Sequence, residues 1–375
     1  MKKLFYFAAA AVALAACAKN EVIPVNSGEN QEITFNVAPK TKAATKFADN
    51  LKFKSYAYYL PSGQIWDNHP TTAPVPYIVD EEIAYRRKTA DGTDMVWKAG
   101  DSYYWPKNGK LTFFAWTSLK ETNANNATPS YKTEYVTGVE CSVADGIKVT
   151  DYNVTTNKNV DFLVADIVKD KTSNSDKKYW NEGVTTIFKH KLSYVIFKVN
   201  TLKDYSTDGK KFTLNYIKFN KIEHKGTYKQ LPTDSEGWTI ETSDKTEQTY
   251  IGTDKVFGYV DPESGIPALT TDATQNYYLP QTFGTSEELE IKYTITTTTT
   301  TKTGTGTTAK TSDDVVIKKI VLNPAPVGGV TPSSLFTKWE MGKKYTVTLT
   351  FSLDEIYWDP AVEEWAPGTV SSDVK

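Results

Sequence analysis

The sequence is poor in the residues from which disulfide frameworks and metal sites are built. Its 375 residues include only two cysteines, three histidines, three methionines and two arginines. The histidines, His69, His190 and His224, show neither the i, i+4 spacing nor the cysteine neighbours of a zinc site. Its glycines do not form a phosphate-binding loop between a strand and a helix. We therefore predict no catalytic residue, no metal and no cofactor.

The charge balance argues against a second class of partner. The net charge is −2 and the isoelectric point is near 6.1. Arg86 and Arg87 are the two arginines, and no arginine-rich basic patch accompanies them. A surface that binds nucleic acid needs clustered positive charge. We predict no nucleic-acid partner.

Aromatic residues are plentiful, and they indicate the fold class. The chain holds 23 Tyr, 16 Phe and 9 Trp, so aromatic residues make up 13% of it, alongside many Thr and Val. These residue types suit pleated, half-buried surfaces better than helices. After loss of Cys17 to the signal described next, Cys141 is the only other cysteine, so packing must supply the stability. The composition predicts an all-β exported protein.

The first seventeen residues have the features of an export signal. Lys2 and Lys3 precede an uncharged run that ends in Leu14-Ala15-Ala16-Cys17. The run is shorter than the roughly 20 apolar residues of a membrane helix, so we interpret residues 1–17 as a removable signal peptide. It resembles a bacterial lipoprotein signal, in which Cys17 is acylated; an ordinary secretory signal cut near Ala16 is the alternative. Residues 18–31 are polar and predict a tether.

Alternation of apolar and polar residues predicts strands along the rest of the chain. Ile33, Phe35 and Val37 occupy one face of a first strand at 32–38. The clearest alternation lies at 344–353, and residues 288–322 read as a long hairpin with a glycine-containing tip. Residues 169–178 are charged and lack hydrophobic side chains. We predict a linker at 171–184 between an N-terminal domain at 32–170 and a C-terminal domain at 185–375.

Two segments and one aromatic cluster stand out as candidates for function. Residues 39–46 carry three lysines among small residues, which predicts an exposed loop cut at Lys42 or Lys46 by a trypsin-like protease. The acidic, proline-broken end at 356–375 contains tryptophans that something must cover. The cluster 103–105 is either a sugar-stacking platform or part of the core.

Several segments, taken together in their order and spacing, resemble one known family. They include the signal that ends at Cys17, the first strand followed by the lysine loop, and these further pieces: Tyr103-Tyr104-Trp105-Pro106, Phe113-Phe114-Ala115-Trp116, Asp161-Phe162-Leu163-Val164-Ala165, His190-Lys191-Leu192-Ser193, Leu279-Pro280-Gln281, Trp339-Glu340-Met341-Gly342-Lys343-Lys344-Tyr345, and the ending Ile356 to Trp365. The chain resembles the Bacteroidetes fimbrillin family, the major and minor fimbrial subunits also called type V pilins.

The resemblance implies a fold and a mode of assembly. It implies two tandem transthyretin-like Greek-key β-sandwich domains and export as an acylated precursor to the outer membrane. Proteolysis in the loop after the first strand would then remove Ile33, Phe35 and Val37 and leave a groove. A donor strand from the C-terminal segment of another subunit would fill it; the donor-strand candidates here are Trp358, Val362 and Trp365. The implied partners are other fimbrial subunits, and the implied role is adhesion or biofilm formation at the cell surface.

One departure from the family keeps an alternative open. The family's processing protease commonly cuts after arginine, whereas Arg86 and Arg87 lie well inside the predicted first domain. Cleavage would therefore use Lys42 or Lys46, or would not occur. Without it, the protein would be a permanently lipid-anchored surface lipoprotein that binds glycan or host protein. An enzyme of the glycosidase type has no positive support in the sequence.

Overall fold

A computed structural model describes residues 32–37, 47–68, 74–122, 130–173, 183–230, 237–269, 274–303, 306–327 and 332–365. The predicted signal peptide and tether, and the lysines Lys42 and Lys46, lie outside these residues. Within them the regular structure consists of strands in five sheets and three short 3-10 turns. Among these residues, no helix is long and apolar enough to cross a membrane. The predicted all-β class is confirmed.

The strands of the first half are β1 (Phe35–Val37), β2 (Lys52–Leu60), β3 (Val75–Arg87), β4 (Met95–Lys98), β5 (Lys110–Glu121), β6 (Tyr131–Thr133), β7 (Val139–Ser142), β8 (Gly146–Asn153), β9 (Val160–Ala165), β10 (Val168–Lys171), β11 (Val184–Thr186) and β12 (Phe188–His190). Those of the second half are β13 (Ser193–Thr201), β14 (Lys210–Glu223), β15 (Lys225–Lys229), β16 (Gly237–Ile240), β17 (Lys245–Ile251), β18 (Lys255–Phe257), β19 (Tyr277–Tyr278), β20 (Gln281–Thr282), β21 (Glu288–Thr303), β22 (Gly306–Val321), β23 (Lys338–Trp339), β24 (Lys343–Phe351) and β25 (Ile356–Glu364).

The largest sheet rolls up until its two ends meet. Its strand order is β11-β1-β4-β3-β2-β5-β9-β12, with β6 and β10 also paired to β5. The end strands β11 and β12 are separated along the chain by Ile187 alone, so one short stretch closes the sheet. Its interior is packed with apolar side chains that include Phe53, Trp105 and Phe188. We call this the rolled sheet.

A second core covers the outer face of the rolled sheet. Because neighbouring residues of a strand point to opposite faces, Phe113 faces the interior while Phe114 faces this second core. The four-stranded sheet β16-β15-β8-β7 lies over it and draws strands from both halves of the chain. Tyr228 of β15 and Tyr194 of β13 pack into the same core.

The rest of the second half is a sandwich of two sheets. Their orders are β19-β13-β24-β25 and β17-β14-β21-β22, with β18 also paired to β14, and a third apolar core lies between them. β13 and β24 run parallel, so they are joined through a long crossover. β21 and β22 form a hairpin of sixteen residue pairs, and β24 shows strict alternation of burial from Tyr345 to Phe351. The predicted hairpin and the predicted strand at 344–353 are both confirmed.

The described pairings cross the predicted domain boundary. β11 and β12 complete the rolled sheet, although residues 185–190 fall in the predicted C-terminal domain. β15 pairs with β8 of the first half, for example Gly226 with Tyr152. The division into domains at 32–170 and 185–375 stays a prediction, and residues 184–190 and 225–240 are structurally tied to the first half.

Candidate assembly site

The first strand has its apolar face fully inside the rolled sheet. Ile33, Phe35 and Val37 are 3%, 4% and 8% exposed. The ring of Phe35 meets those of Phe53 and Phe113 edge to face, at centroid distances of 5.6 and 6.0 Å. Burying one such side chain contributes about 1.5–3 kcal/mol. The alternation seen in the sequence therefore reflects a strand that fills a deep apolar slot.

Backbone hydrogen bonds hold this strand on both sides. β1 runs parallel to β11 and antiparallel to β4, with Phe35 opposite both Val184 and Trp97. The N–H of Ile33 donates to the carbonyl of Tyr103, and the N–H of Val184 donates to the carbonyl of Thr34, both at 2.7 Å. Removing the strand would leave two sheet edges with unpaired N–H and C=O groups.

Ion pairing and a close backbone approach reinforce the seat of β1. Glu32 Oε1 lies 2.6 Å from Lys98 Nζ, and both side chains are largely buried. Gly183 has a φ of +86°, and a Cβ on it would lie 2.7 Å from the carbonyl carbon of Phe35. Only glycine combines this conformation with this proximity at low cost. The residue before β11 is thus shaped to let β1 pass close by.

The segment that follows β1 is bounded by two buried anchors. Val37 ends β1, and Phe47 is 3% exposed and stacks on Phe188 at 5.4 Å and 25°. Phe47 also meets Trp97 edge to face at 5.4 Å. Residues 38–46, with the predicted cleavage sites Lys42 and Lys46, lie between these anchors and outside the described residues. A cut there would detach β1 from Phe47 without removing Phe47 from the core.

The C-terminal strand β25 lies at the edge of its sheet. It pairs with β24 along its whole length, from Phe351 opposite Ile356 to Lys343 opposite Glu364. Ile356 is buried and Trp358 half-buried against the sandwich core, but residues 359–364 are exposed on both faces. Lys343 and Glu364 form an ion pair, and their hydrogen bond raises the pKa of the lysine. β25 is held mainly by its backbone and its two ends.

Trp365 anchors the far end of β25 to the first half of the chain. Its ring lies parallel to that of His190, with centroids 3.5 Å apart and planes 7° apart, and it also stacks on Tyr194 and Tyr277. His190 Nδ1 in turn lies 2.5 Å from Asp161 Oδ2, and both groups are buried. Burial raises the pKa of Tyr277 well above its ordinary value. Trp365 is therefore covered by aromatic residues of its own chain.

The three donor-strand candidates differ in their surroundings. Trp358 packs partly on the sandwich core, Val362 is 56% exposed, and Trp365 is buried against His190. Sequence reasoning did not connect His190 or Tyr277 with the tail. Trp365 is 175 residues from His190 and 88 from Tyr277, and rings that stack across such separations leave no periodic signal in the sequence. Only the need for some buried partner of a tail tryptophan could be anticipated.

Burial decides between the two interpretations of the aromatic cluster 103–105. Trp105 is fully buried and packs on Phe113, so it belongs to the core and offers no surface for stacking a sugar. Tyr103 is half-buried, and burial together with its hydrogen bond to Glu81 raises its pKa to about 12. Among the described residues, no group of three or more His, Cys, Asp or Glu side chains is placed to hold a metal ion. His69 lies outside them.

The sequence profile of the fimbrillin-like family matches residues 41–365. The chain belongs to the fimbrillin-like family. No curated protein matches it. Family membership supports a fimbrial subunit role, places the protein in a cell-surface appendage with other subunits as partners, and favours a structural over a catalytic role.

One solved structure shares the fold of this chain, and two others align with lower TM-scores. A fimbrial protein from Bacteroides vulgatus aligns with a TM-score of 0.56 and 19% identity, over 90% of this chain and 100% of that one. A candidate cell adhesion protein from Bacteroides uniformis aligns at 0.47 and 15%, over 90% and 98%. The tip fimbrial protein Mfa3 from Porphyromonas gingivalis, with C-terminal truncation, aligns at 0.33 and 10%, over 89% and 100%. At these identities the first likeness concerns the fold alone.

Proposed function

We propose that this fimbrillin-like protein is a structural subunit of a cell-surface fimbria that polymerises by proteolysis-triggered donor-strand exchange and supports adhesion or biofilm formation. It is exported through the periplasm as a precursor acylated at Cys17 and held at the outer membrane. Cleavage at Lys42 or Lys46 removes the anchor and β1 together. A C-terminal segment of another subunit, within residues 356–375, then takes the place of β1.

The observation that carries the proposal is the position of β1. It is a short strand, paired on both sides, whose apolar face fills the rolled sheet, and its chain continues into the lysine-bearing segment. With β1 removed, three apolar sites and two unpaired strand edges would drive insertion of a replacement strand.

The central part of the proposed donor, residues 359–364, can leave its own sheet with little loss of side-chain packing. Residues 359–364 of β25 bury little side-chain surface, so their release gives up mainly backbone pairing with β24. Trp358 and Trp365 offer large rings, and Val362 is already exposed. Trp358 and Val362 lie on one face of an extended strand, so on insertion they would take over apolar contacts of Ile33, Phe35 and Val37, whereas Trp365 would point to the other face.

Limited digestion of the full chain with a lysine-specific protease tests the proposal. We expect a new N-terminus at Ala43 or Phe47, followed by oligomers that size-exclusion chromatography resolves. A chain in which Lys40, Lys42 and Lys46 are all alanine should stay uncut in this segment and remain monomeric. Oligomers formed equally by the uncut variant would contradict strand exchange.

Deletion of residues 356–375 separates the donor from the acceptor. The shortened chain, cut in the same way, should accept a donor from an intact copy but form no polymer by itself. A matched control replaces only the exposed Asp359 by Asn, which keeps β25, its length and the proposed donor side chains. Polymers that persist after the deletion would rule out this segment as the donor.

A permanently anchored lipoprotein is the second candidate, and the chemistry of the loop favours it in one respect. The loop offers lysine alone to a processing protease, and β1 is additionally held by the Glu32–Lys98 pair. Intact mass and N-terminal sequencing of protein sheared from cells distinguish the two. A start at acylated Cys17 supports the permanent anchor, which would capture glycan or host protein.

A further inference from the structure

β22 ends its sheet with a long free edge. It is the last strand in the order β17-β14-β21-β22, and β21 is its one neighbour among the residues described. Sixteen residues at about 3.3 Å each give an edge of roughly 50 Å. Val315 and Ile317 on this strand are 55% and 53% exposed. Natural proteins cover or disrupt such edges, because an open one is a template for another strand.

The sequence along this edge is complementary to itself. Two aspartates, three apolar residues and two lysines follow one another at 313–319. If a second copy lies antiparallel to the first and the register is centred on Val316, acidic residues stand opposite basic ones and apolar residues opposite apolar ones. The opposed pairs are Asp313 with Lys319, Asp314 with Lys318, Val315 with Ile317, and Val316 with its own copy.

The backbone pattern agrees with this register. In an antiparallel sheet the N–H and C=O groups of alternate residues point toward one neighbour and those of the remaining residues toward the other. β22 pairs residue for residue with β21 without a bulge, so every second residue points to the free edge. A register centred on one residue opposes positions of the same parity. The outward groups of one copy therefore meet the outward groups of the other.

The side chains also fall on matching faces. Val316, Lys318 and Ile320 are half-buried toward the sandwich core, whereas Val315, Ile317 and Lys319 are exposed on the outer face. Opposed residues in a sheet lie on one face, so each proposed pair is formed within a face. We propose that the β22 edge is a self-association site at which two copies of this chain form one continuous antiparallel sheet around Val316.

The contacts already made within one copy show which opposed charge pair gains the most from a second copy. Lys319 Nζ already lies 3.3 Å from Glu290, and Asp313 already accepts a hydrogen bond from Thr296. Asp314 is exposed. Lys318 donates to the backbone carbonyl of Asp354 at 3.1 Å, and a carbonyl carries no negative charge that would neutralise the lysine. Asp314 and Lys318 therefore gain the most from a second copy, and variants should target them.

The pairing surface is open beyond the strand itself. A cavity of about 770 Å³ lies between the C-terminal part of β22 and the start of β25, lined by residues that include Ile320, Ile356 and Trp358. A strand added beside β22 would have its inner face directed toward this space. Seven opposed residues make a small contact, so a single pair of copies should associate weakly. Many copies repeated along a fimbria, if the proposed function holds, would associate side by side with much higher avidity.

Disulfide trapping tests the register in the purified full chain. Val316→Cys places two thiols directly opposite each other, at a Cα separation of about 4.5–5.5 Å that a disulfide can bridge. The control, Ser312→Cys, lies on the same strand but its two copies would be about 26 Å apart. We expect a covalent dimer from Val316→Cys and only the background of the parent chain from Ser312→Cys. Equal yields from both variants would overturn the register.

Charge exchange tests the complementarity without cysteine chemistry. Asp314→Lys and Lys318→Glu should each weaken self-association by about ten-fold. In the symmetric register each substitution places two pairs of like charges opposite each other, at positions 314 and 318 of the two copies. An equimolar mixture of the two variants should associate as the parent does, and so should the double variant Asp314→Lys/Lys318→Glu. Sedimentation velocity measures all four samples, with melting temperature as the test of folding. Unchanged association of either single variant would contradict the proposal.

These outcomes are separable from strand exchange. Asp314 and Lys318 lie in the second half, whereas β1 and Phe47 form the proposed acceptor in the rolled sheet. The single β22 charge variants should therefore leave cleavage and polymer length unchanged while weakening lateral association. Loss of polymer formation with intact dimer trapping would refute only the proposed function.

Discussion

Trp365 is the last described residue, and its ring stacks on His190 of the first half of the chain. The parallel contact with His190 lies above the buried Asp161–His190 hydrogen bond, so the indole also shields that polar pair from water. The backbone N–H of Trp365 donates to the carbonyl of Gly342 at 2.9 Å, which fixes the end of β25 beside the start of β24. A single side chain thus closes the edge strand at its open end.

Trp365→Ala is expected to lower the free energy of unfolding by about 3 kcal/mol, the lower end of the range for removing a large buried aromatic ring, because the site lies at the end of an edge strand. Val362→Ala, on the same strand but 56% exposed, should change it by less than about 0.5 kcal/mol. Urea denaturation followed by fluorescence measures both. Equal effects would show that Trp365 adds nothing beyond the strand.

Glu290, on the outer face of the sandwich, makes a contribution to the free energy of unfolding that depends on pH. Burial opposes its ionisation, but hydrogen bonds outweigh this cost and lower the pKa of the carboxyl from 4.5 to about 2; they come from Tyr216, Lys218, Lys319 and Asn220. A depressed pKa in the folded state stabilises the fold above the unfolded pKa, and that stabilisation is lost as pH falls toward the folded value.

Glu290→Gln should therefore lower the free energy of unfolding by about 2 kcal/mol at pH 7, and the difference from the parent should shrink between about pH 5 and pH 2. Glu247→Gln is the matched control, since Glu247 pairs with the same Lys218 but its side chain is 52% exposed. Chemical denaturation across this pH range measures both differences. A Glu290→Gln effect that does not vary with pH would refute the assignment.

At the scale of elements, β1 shows what sequence pattern can predict. The alternation at Ile33, Phe35 and Val37 predicted a strand and its buried face, and β1 has both. Its neighbours could not be predicted, because β11 lies nearly 150 residues away and parallel pairing leaves no turn signal. The hairpin of β21 and β22 was predictable, since its two strands are adjacent and joined by glycine. Local pattern thus gave elements and faces, and long-range pairing came only from the structure.

Gly183→Ala should loosen β1 selectively. The new Cβ would press on the backbone of Phe35, whereas Gly63→Ala pays only the cost of a left-handed backbone, because Gly63 has the same φ of +86° with nothing within 4 Å. Hydrogen exchange of the Val184 amide, which donates to Thr34, reports the difference. We expect faster exchange in Gly183→Ala alone. Similar exchange in both variants would show that β11 tolerates the contact.

At the scale of the whole molecule, the second core ties both halves together. It contains Trp116 and Phe162 from the first half and Tyr194, Tyr228 and Trp365 from the second. The sequence suggested a break at 169–178 from its charge and lack of hydrophobic residues. Within this stretch, residues 169–171 belong to β10, which pairs with β5. Composition cannot show such pairing, nor that later strands return to the earlier sheet.

A chain that ends at residue 170 should not fold cooperatively, because it lacks β11 and β12, which close the rolled sheet, and β15, which pairs with β8. The fragment 32–190 restores the closing strands and should regain part of the transition. Thermal unfolding followed by circular dichroism compares these fragments with the full chain. A sharp transition in the shorter fragment would establish an autonomous domain at 32–170.

The closure of the rolled sheet by residues 184–190 has a consequence for growth. While β1 lies between β11 and β4, the strand edges that face it are paired, so the chain cannot accept a donor strand at this location until β1 is lost. Loss of one strand opens one gap, and each chain has one C-terminus to fill a gap elsewhere. Under the proposed exchange every subunit therefore has one acceptor groove and one donor segment, so strand exchange alone gives a linear filament without branches.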